Sequence, residues 1–218
     1  LSTISQFVLF CENIDGVDKG VYEKIELPPR EGKARTEKLE ADDAEQILSY
    51  LRKYHYASRS HALMAVLWHT GLRTGTIRAL DIGDFDEERE RLRIRHRPET
   101  GIPLKNKENA ERFVVLSPDV AEVLGDYLDI HRHDVTDGNG RRPLFTTKEG
   151  RPSKNSIRRC IYAATRPCAT GQGCPHGRDP EDCVAASRSA SASKCPSTLS
   201  GHPVRRGAIT HFLRKDVP

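Results

Sequence analysis

Two basic residues close to the end of the sequence have the spacing of a phosphate-binding site. His202 and Arg205 lie three positions apart in "SGHPVRRGAITHFLRKDV", where the apolar spacing of Ile209, Phe212 and Leu213 predicts an amphipathic helix. On one face near the start of a helix, an imidazole and a planar guanidinium would meet the helix dipole at a single point, which suits a phosphate. The alternative is a solvated His and Arg on a surface helix.

Arg73 is a further candidate for binding an anion. It lies two residues after Gly71, which ends the apolar run "SHALMAVLWHTG". A guanidinium beside so apolar a helix is partly desolvated, and this costs free energy unless an anion or several acceptors meet it. An ion pair with Asp81 or Asp84 would satisfy Arg73 equally well.

Two lysines could donate a proton. Lys105 and Lys107 lie in "PLKNKENAER", a segment predicted to form a turn between two strands. A flexible ammonium on such a turn could reach into a groove and act as a general acid. Lys105 follows the apolar "IPL" and is better anchored, so it is our first choice, although lysines in turns are commonly just solvated.

The elements that must position these residues are mostly helical. Helical spacing occurs in "LEADDAEQILSYLRKY", "SHALMAVLWHTG", "SPDVAEVLGDYLDIHR", "SKNSIRRCIYAATR" and the C-terminal stretch. The period changes to alternation in "RLRIRHR", and a second strand candidate, "RFVVL", lies across the turn at 105–110. The predicted fold class is α+β, mainly α-helical with a small antiparallel β-sheet.

Composition sets the limits within which these residues act. The chain has 218 residues, of which 36% are hydrophobic and 30% charged, a balance typical of a globular protein with one substantial core, or with a core and a fragment of a second domain. It has no run long enough to span a membrane and no signal-peptide pattern, so the expected location is the cytoplasm. A net charge of +4 permits nucleic-acid binding without demanding it.

Two clusters of basic residues are candidates for contacts with DNA. In "RERLRIRHR" arginines alternate strictly, so a strand there would present them on one face, although pairing with the acids at 86–90 would compete. A second cluster surrounds the start of the helix in "SKNSIRRCIYAATR", at Arg151, Lys154, Arg158 and Arg159. The residues predicted to bind DNA are Arg91, Arg93, Arg95, Arg97, Lys154 and Arg158.

A cysteine-bearing segment at about 166–200 has Val184 and Leu199 as its large apolar residues, too few to form a core. Its soft or borderline donors fit a structural Zn²⁺, whose binding energy could replace that core. The predicted ligands are Cys168, Cys174, His176, Cys183 and Cys195. A disordered loop or two disulfides are the alternatives, and the remaining cysteines, Cys11 and Cys160, are expected to be isolated and buried.

In their order along the chain, these features resemble the tyrosine recombinase or phage integrase family, over about residues 37–218. The family's first box reads roughly T-G-L-R and is followed by a helix ending L-x-x-x-D; its second reads roughly H-x-L-R-H-T. The matching residues are Thr70, Gly71, Leu72, Arg73, Leu80 and Asp84 for the first box, and His202, Arg205, Thr210 and His211 at or near the second. The cysteine segment resembles insertions in archaeal integrase-like proteins.

The chain departs from the family pattern at three places. Thr76 replaces an acidic residue of the first box, and Arg206 replaces a histidine of the second. The family's L-G-H box and its nucleophilic tyrosine would lie after Pro218, whereas the tyrosines present are at 22, 50, 54, 56, 127 and 162. The resemblance therefore implies a chain that stops before the nucleophile and that binds DNA without cutting it.

The resemblance also implies a domain organisation. Residues 1–35 would be the end of an N-terminal helical DNA-binding (core-binding) domain plus a linker, with the boundary near 30–36. Residues 36–218 would be the catalytic domain, incomplete at its C-terminus. Full-length members of the family act as tetramers on double-stranded DNA.

The reaction implied by the resemblance is DNA strand cleavage and rejoining. A tyrosine attacks a phosphodiester to form a 3′-phosphotyrosyl link and free a 5′-hydroxyl, without a cofactor. Arg73 and Arg205 would bind the non-bridging oxygens, His202 would hydrogen-bond the same phosphate, and Lys105 or Lys107 would protonate the leaving oxygen. The alternatives are a non-catalytic, zinc-containing DNA-binding regulator on the same fold, and a structural helical domain in which these residues coincide by accident.

Overall fold

The computed structural model describes residues 2–25 and 37–215, and the chain divides into two compact units with the boundary between residues 36 and 37. The first unit contains helix α1 (Ser2–Asn13) and a short 3₁₀ helix (Tyr22–Lys24). The backbone amide of Tyr22 donates to the carboxylate of Glu12, which ties the two helices together. None of the described helices is both long and apolar enough to cross a membrane.

The second unit is mainly helical, as predicted. Its helices are α2 (Ala41–Tyr54), α3 (Arg59–Thr70), α4 (Thr74–Ala79), α5 (Pro118–Asp126), α6 (Lys154–Ala164), α7 (Val184–Ser187) and α8 (Gly201–Arg214). A π-helical turn, Tyr127–His131, continues α5. Further 3₁₀ turns lie at Ile82–Asp84, Pro98–Thr100, Lys107–Ala110, Pro167–Thr170 and Ser189–Lys194.

Helix α3 is the centre of the core and packs against α2, α5, α6 and α8. Every residue from His61 to Leu67 is buried, which agrees with the apolar run in the sequence. The Ser58 hydroxyl accepts the His61 amide at 3.2 Å and caps the helix at its start. Gly71 ends the helix in the left-handed conformation (φ 57°), as its position after the run predicted.

A three-stranded antiparallel sheet interrupts the helices, in the order β1 (Phe85–Asp86), β2 (Arg91–Ile94), β3 (Arg112–Val115). Leu92 pairs with Val114, and Ile94 with Arg112. The small sheet was predicted correctly, but a strand through Arg97 was wrong, because β2 ends at Ile94. Residues 95–111 form a long connection rather than a tight turn, and buried Ile102 and Leu104 anchor it in the core.

The cysteine-bearing segment is ordered by small side chains. Ala185, Ala192 and Cys195 are buried, and the turns of this segment pack against α6. The hydroxyl of Thr165, at the end of α6, accepts the Leu199 amide at 3.0 Å. Small residues thus allow this segment to pack closely against the rest of the unit without large apolar side chains.

Candidate functional site

The turn between α3 and α4 presents Arg73. The Thr70 hydroxyl donates to Val66 O at 2.6 Å and accepts the Leu72 amide at 3.2 Å, which fixes the turn after Gly71. Leu72 is buried, and Arg73 follows in an extended conformation as the N-cap residue of α4, with an exposed side chain. The turn therefore holds a guanidinium at the surface on a rigid base.

The acids considered as partners of Arg73 are bound by other arginines. Asp84 accepts two hydrogen bonds from Arg97, at 2.6 and 2.8 Å, and Asp81 accepts from Arg141 and Arg151. Within the described ranges, Arg73 forms no ion pair with a carboxylate. Its charge is thus available to an anion from outside the chain.

Helix α8 brings His202 and Arg205 to the same turn. A Cβ on Gly201 would lie 2.4 Å from Cγ2 of Thr74, so the glycine lets the start of α8 approach the start of α4. Arg205 Nη1 donates to the carbonyl oxygen of Gly71. Burial, followed by the positive charges of Arg73 and Arg112, lowers the pKa of Arg205.

The two boxes open onto one cleft of about 700 Å³. His202 lines it together with six cationic side chains, and no aspartate or glutamate of the described chain does so. The cations are Arg73, Arg78, Lys105, Lys154, Arg158 and Arg205. Thr76, which replaces the acid of the family pattern, also lines the cleft. Cations held together with no lining acid are stabilised by an anion, and a nucleic-acid phosphate has the required charge.

The structure separates the two candidate lysines. Lys105 is exposed at the cleft wall, directly after buried Leu104. Lys107 is exposed, does not line the cleft and has a left-handed backbone (φ 50°). The anchored position at the cleft is therefore that of Lys105.

The residues predicted to bind DNA fall into two groups. Lys154 and Arg158 line the cleft from one face of α6, whereas the arginines of the "RLRIRHR" segment do not line it. Arg91 contacts Asp86 at 2.9 Å and lies over the Phe113 ring, with Arg93 beside it on the same ring.

The other two arginines of that segment contact a buried carboxylate. Arg95 lies 3.6 Å and Arg97 2.6 Å from Asp84. A single face of five arginines was wrong, because β2 ends before Arg95 and Arg89 pairs with Asp86 in the turn before β2. In the second basic cluster, Arg151 contacts Asp81 and Asp137 and has only 3% of its side chain exposed.

Among the titratable side chains of the cleft, sequence reasoning missed Arg78 and Tyr162. Tyr162 continues the row of Lys154 and Arg158 at i, i+4 and i+8 along α6. This spacing is visible in the sequence, so the position of Tyr162 beside the two basic residues could have been predicted. Arg78 donates from Nε to Pro152 O at 2.9 Å, a partner that only the fold reveals.

The predicted zinc ligands do not form a metal site. Within the described ranges, which include all five predicted ligands, no three His, Cys, Asp or Glu side chains are grouped so as to hold a metal ion. His176 is instead 3.0 Å from the Ser197 hydroxyl, and Cys195 is buried. The donors therefore do not fit the tetrahedral site that structural zinc needs, and the zinc-containing regulator loses its basis. Of the isolated cysteines, Cys160 is buried as predicted, but Cys11 is only half-buried.

Solved structures share this fold. A transposon integrase, Tn1549 integrase in complex with a circular intermediate DNA, superposes with a TM-score of 0.67 at 15% identity and covers 100% of this chain and 66% of that one. XerA recombinase gives a TM-score of 0.56 at 20% identity, over 95% of this chain and 58% of that one. At these identities the likeness shows the fold alone.

Sequence comparison identifies the family. The tyrosine recombinase XerC of Herpetosiphon aurantiacus is 30% identical over 93 residues, which are 43% of this chain and 27% of the relative, so the chain spans about a quarter of that protein. The Phage integrase family matches residues 37–176, a range that contains Arg73 and Lys105 and ends before His202. Because this match covers more than half of the sequence and the fold brings the second box to the first, the resemblance is confirmed: the chain belongs to the phage integrase family.

Proposed function

We propose that the chain binds double-stranded DNA and supplies the phosphate-binding and proton-donating groups of site-specific strand cleavage and rejoining. The observation that carries this proposal is the convergence of Arg73 and Arg205 on a cleft that no acid of the described chain lines. Two planar forks can each bind the non-bridging oxygens of one phosphate. Family membership and the DNA-bound integrase of the same fold support a DNA substrate.

The chemistry follows from the positions of these groups. A tyrosine oxygen attacks the phosphorus, a 3′-phosphotyrosyl bond forms, and the bond to the 5′-oxygen breaks. The charge that develops on the equatorial oxygens faces Arg73 and Arg205, which stabilise the transition state more than the ground state. His202 hydrogen-bonds the same phosphate and accepts the proton that the tyrosine loses, and Lys105 gives its proton to the leaving 5′-oxygen. We assign the attacking tyrosine to no residue of this chain.

The bond energy is kept in the phosphotyrosyl link, so the rejoining step is the reverse attack by a 5′-hydroxyl. This exchange needs neither a cofactor nor an external energy source, and family members use none. We propose that Lys154, Arg158 and Tyr162 hold DNA beside the scissile phosphate, since all three line the same cleft from α6. The outlying Arg91 and Arg93 would contact DNA further away, while Arg95 and Arg97 mainly hold Asp84. The proposal also includes self-association on DNA and action in the cytoplasm.

Salt-dependent binding tests it. The affinity of the 218-residue protein for a fluorescent duplex should fall steeply with salt, and Arg73→Ala and Arg205→Ala should each reduce the log–log slope by about 0.9, the value expected for one lost phosphate contact. Arg142→Ala removes an exposed arginine outside the cleft and should leave the slope unchanged. Equal slopes for all four proteins would overturn the proposal.

A further inference from the structure

The long connection that carries Lys105 is tied to α4, the helix that begins after Arg73, by the guanidinium of Arg141. Nη1 of Arg141 donates to the Thr100 hydroxyl at 2.7 Å, Nη2 donates to the carbonyl oxygen of Ala79 at 3.1 Å, and Nε donates to Asp81 at 2.7 Å. Only 14% of the Arg141 side chain is exposed. One planar group thus bridges the end of α4 and the loop that leads to Lys105.

The loop contact is specific to Arg141, whereas the α4 contact is shared. Arg151 also binds Asp81, and donates to the carbonyl oxygens of Arg78 and Leu80 at 2.7 and 3.0 Å. The ion cluster at the end of α4 therefore keeps a second arginine when Arg141 is altered. The bond from Arg141 to Thr100 has no such duplicate from Arg151.

Thr100 is well placed to fix Lys105. Its hydroxyl donates to Arg97 O at 2.9 Å while it accepts from Arg141, and its carbonyl oxygen accepts from Asn139 at 3.2 Å. Between Thr100 and Lys105, the side chains of Ile102 and Leu104 are buried. Thr100 and these two side chains together anchor the backbone of this stretch, so the place of Lys105 depends on all three.

We infer that Arg141 is a positioning residue, which sets the place of the Lys105 ammonium relative to the phosphate held by Arg73 and Arg205. The inference rests on the proposed function, in which Lys105 protonates the leaving oxygen. Proton transfer requires the donor to be within hydrogen-bonding distance of that oxygen, so a small displacement of the loop would cost catalysis while leaving phosphate binding intact. A lysine at position 141 has the charge but not the fork, and cannot make these bonds together.

Lysine acylation followed by mass spectrometry reads this position directly. In the 218-residue protein, bound duplex DNA should protect both Lys105 and Lys154, because both line the cleft, and should not protect Lys148, which does not line it. In Arg141→Lys and Thr100→Val, protection of Lys105 should be lost and protection of Lys154 kept. Thr100→Ser restores the hydroxyl and should restore protection, and Arg142→Lys is the matched control.

Each outcome supports or overturns the positioning role of Arg141. Selective loss at Lys105 with rescue by Thr100→Ser supports positioning. Unchanged protection of Lys105 in both variants overturns it, and so does parallel loss at Lys105 and Lys154, which would mean a general structural role. Thr100→Val leaves the ion cluster intact and keeps the test valid if Arg141→Lys fails to fold. Absence of protection at both lysines in the unaltered protein would instead refute the proposed function and remove the basis of this inference with it.

Discussion

Arg205 donates a hydrogen bond to the carbonyl oxygen of Gly71, a contact between residues 134 positions apart in the sequence. Gly71 ends α3, and Arg73 is the N-cap residue of α4. The bond therefore fixes Arg205 to the turn that presents Arg73. The two guanidinium groups are therefore brought together by the fold before any anion arrives. In the proposed function, such preorganisation would spare the protein a rearrangement at the moment of reaction.

Neutralising single phosphates should show which phosphate of the DNA is bound by Arg73 and Arg205, a pair that we call the clamp. A duplex enriched from a random pool by binding to the protein supplies a fixed register, in which each phosphate is replaced in turn by an uncharged methylphosphonate. At one position per strand, binding should weaken by roughly tenfold, the loss of one charge-assisted contact. In Arg73→Ala this penalty should become smaller, because Arg205 and His202 still contact the phosphate, whereas Arg142→Ala should keep it in full. Additive penalties for Arg73→Ala at every position would contradict the clamp.

Gly207→Ala should destabilise the protein. A Cβ at this position would lie 2.1 Å from the carbonyl oxygen of Leu39 and 3.1 Å from the Trp68 ring, so α8 would have to move. Overpacking of this kind costs about 1–3 kcal/mol, measurable by urea unfolding. Gly75→Ala is the control, since its Cβ would meet nothing within 4 Å and alanine favours a helix. A Gly207→Ala protein as stable as the unaltered one would show that this approach is not tight.

His61 should make stability depend on pH. Burial, with a smaller contribution from Arg52, lowers the pKa of His61 to about 4, and its Nδ1 accepts the Ala57 amide at 3.1 Å. The unfolded chain, in which the pKa is about 6.5, binds more protons than the folded one, so stability falls as pH drops from about 6.5 towards 4.

His61→Asn, whose side-chain oxygen can accept the same amide, should make the fall of the unfolding free energy across that window shallower, while His69, whose pKa is also lowered by burial, keeps part of the dependence. His55 is exposed, and His55→Asn should keep the dependence. An unchanged pH dependence in His61→Asn would assign the effect to other groups.

Asp84→Ala should be among the most destabilising changes near the sheet. Asp84 is 1% exposed and holds Arg97 through two hydrogen bonds, with Arg95 close by. Removing one partner of a buried pair costs about 3–5 kcal/mol, and we expect the lower end of this range here, because Asp81 lies 3.6 Å from Arg97. Asp134→Ala removes an exposed partner of Arg142 and should cost under about 1 kcal/mol. Equal urea midpoints for these two variants would be inconsistent with a stabilising interaction of Asp84 with Arg97 and Arg95.

Local signals in the sequence were sufficient for the apolar helix, its end at Gly71 and the two boxes, because each depends on neighbours along the chain. The sequence did not allow us to predict which arginines of residues 91–97 pair with carboxylates and which remain exposed. Arg97 and Arg93 are two positions apart on one alternating pattern, yet one contacts buried Asp84 and the other is exposed. That division depends on where β2 ends and on which carboxylates the fold brings near.

The packing of the cysteine-bearing segment was not predictable for a different reason. Large apolar residues were taken as the measure of a core, while Ala185 and Ala192 are buried through close backbone packing. Residues that gain burial by being small leave little trace in a hydrophobic pattern.

The entry of the chain into the second unit lies across α8. The Leu39 amide donates to Pro203 O at 3.2 Å, Arg206 donates to Glu37 O at 2.9 Å, and Gly207 leaves room for the Leu39 backbone. The arginine that replaces the family's histidine at position 206 is thus an anchor for the incoming chain. A displacement of residues 37–39 would have to break these bonds or move α8 as well. The helix that carries His202 and Arg205 therefore also holds residues 37–39 in place.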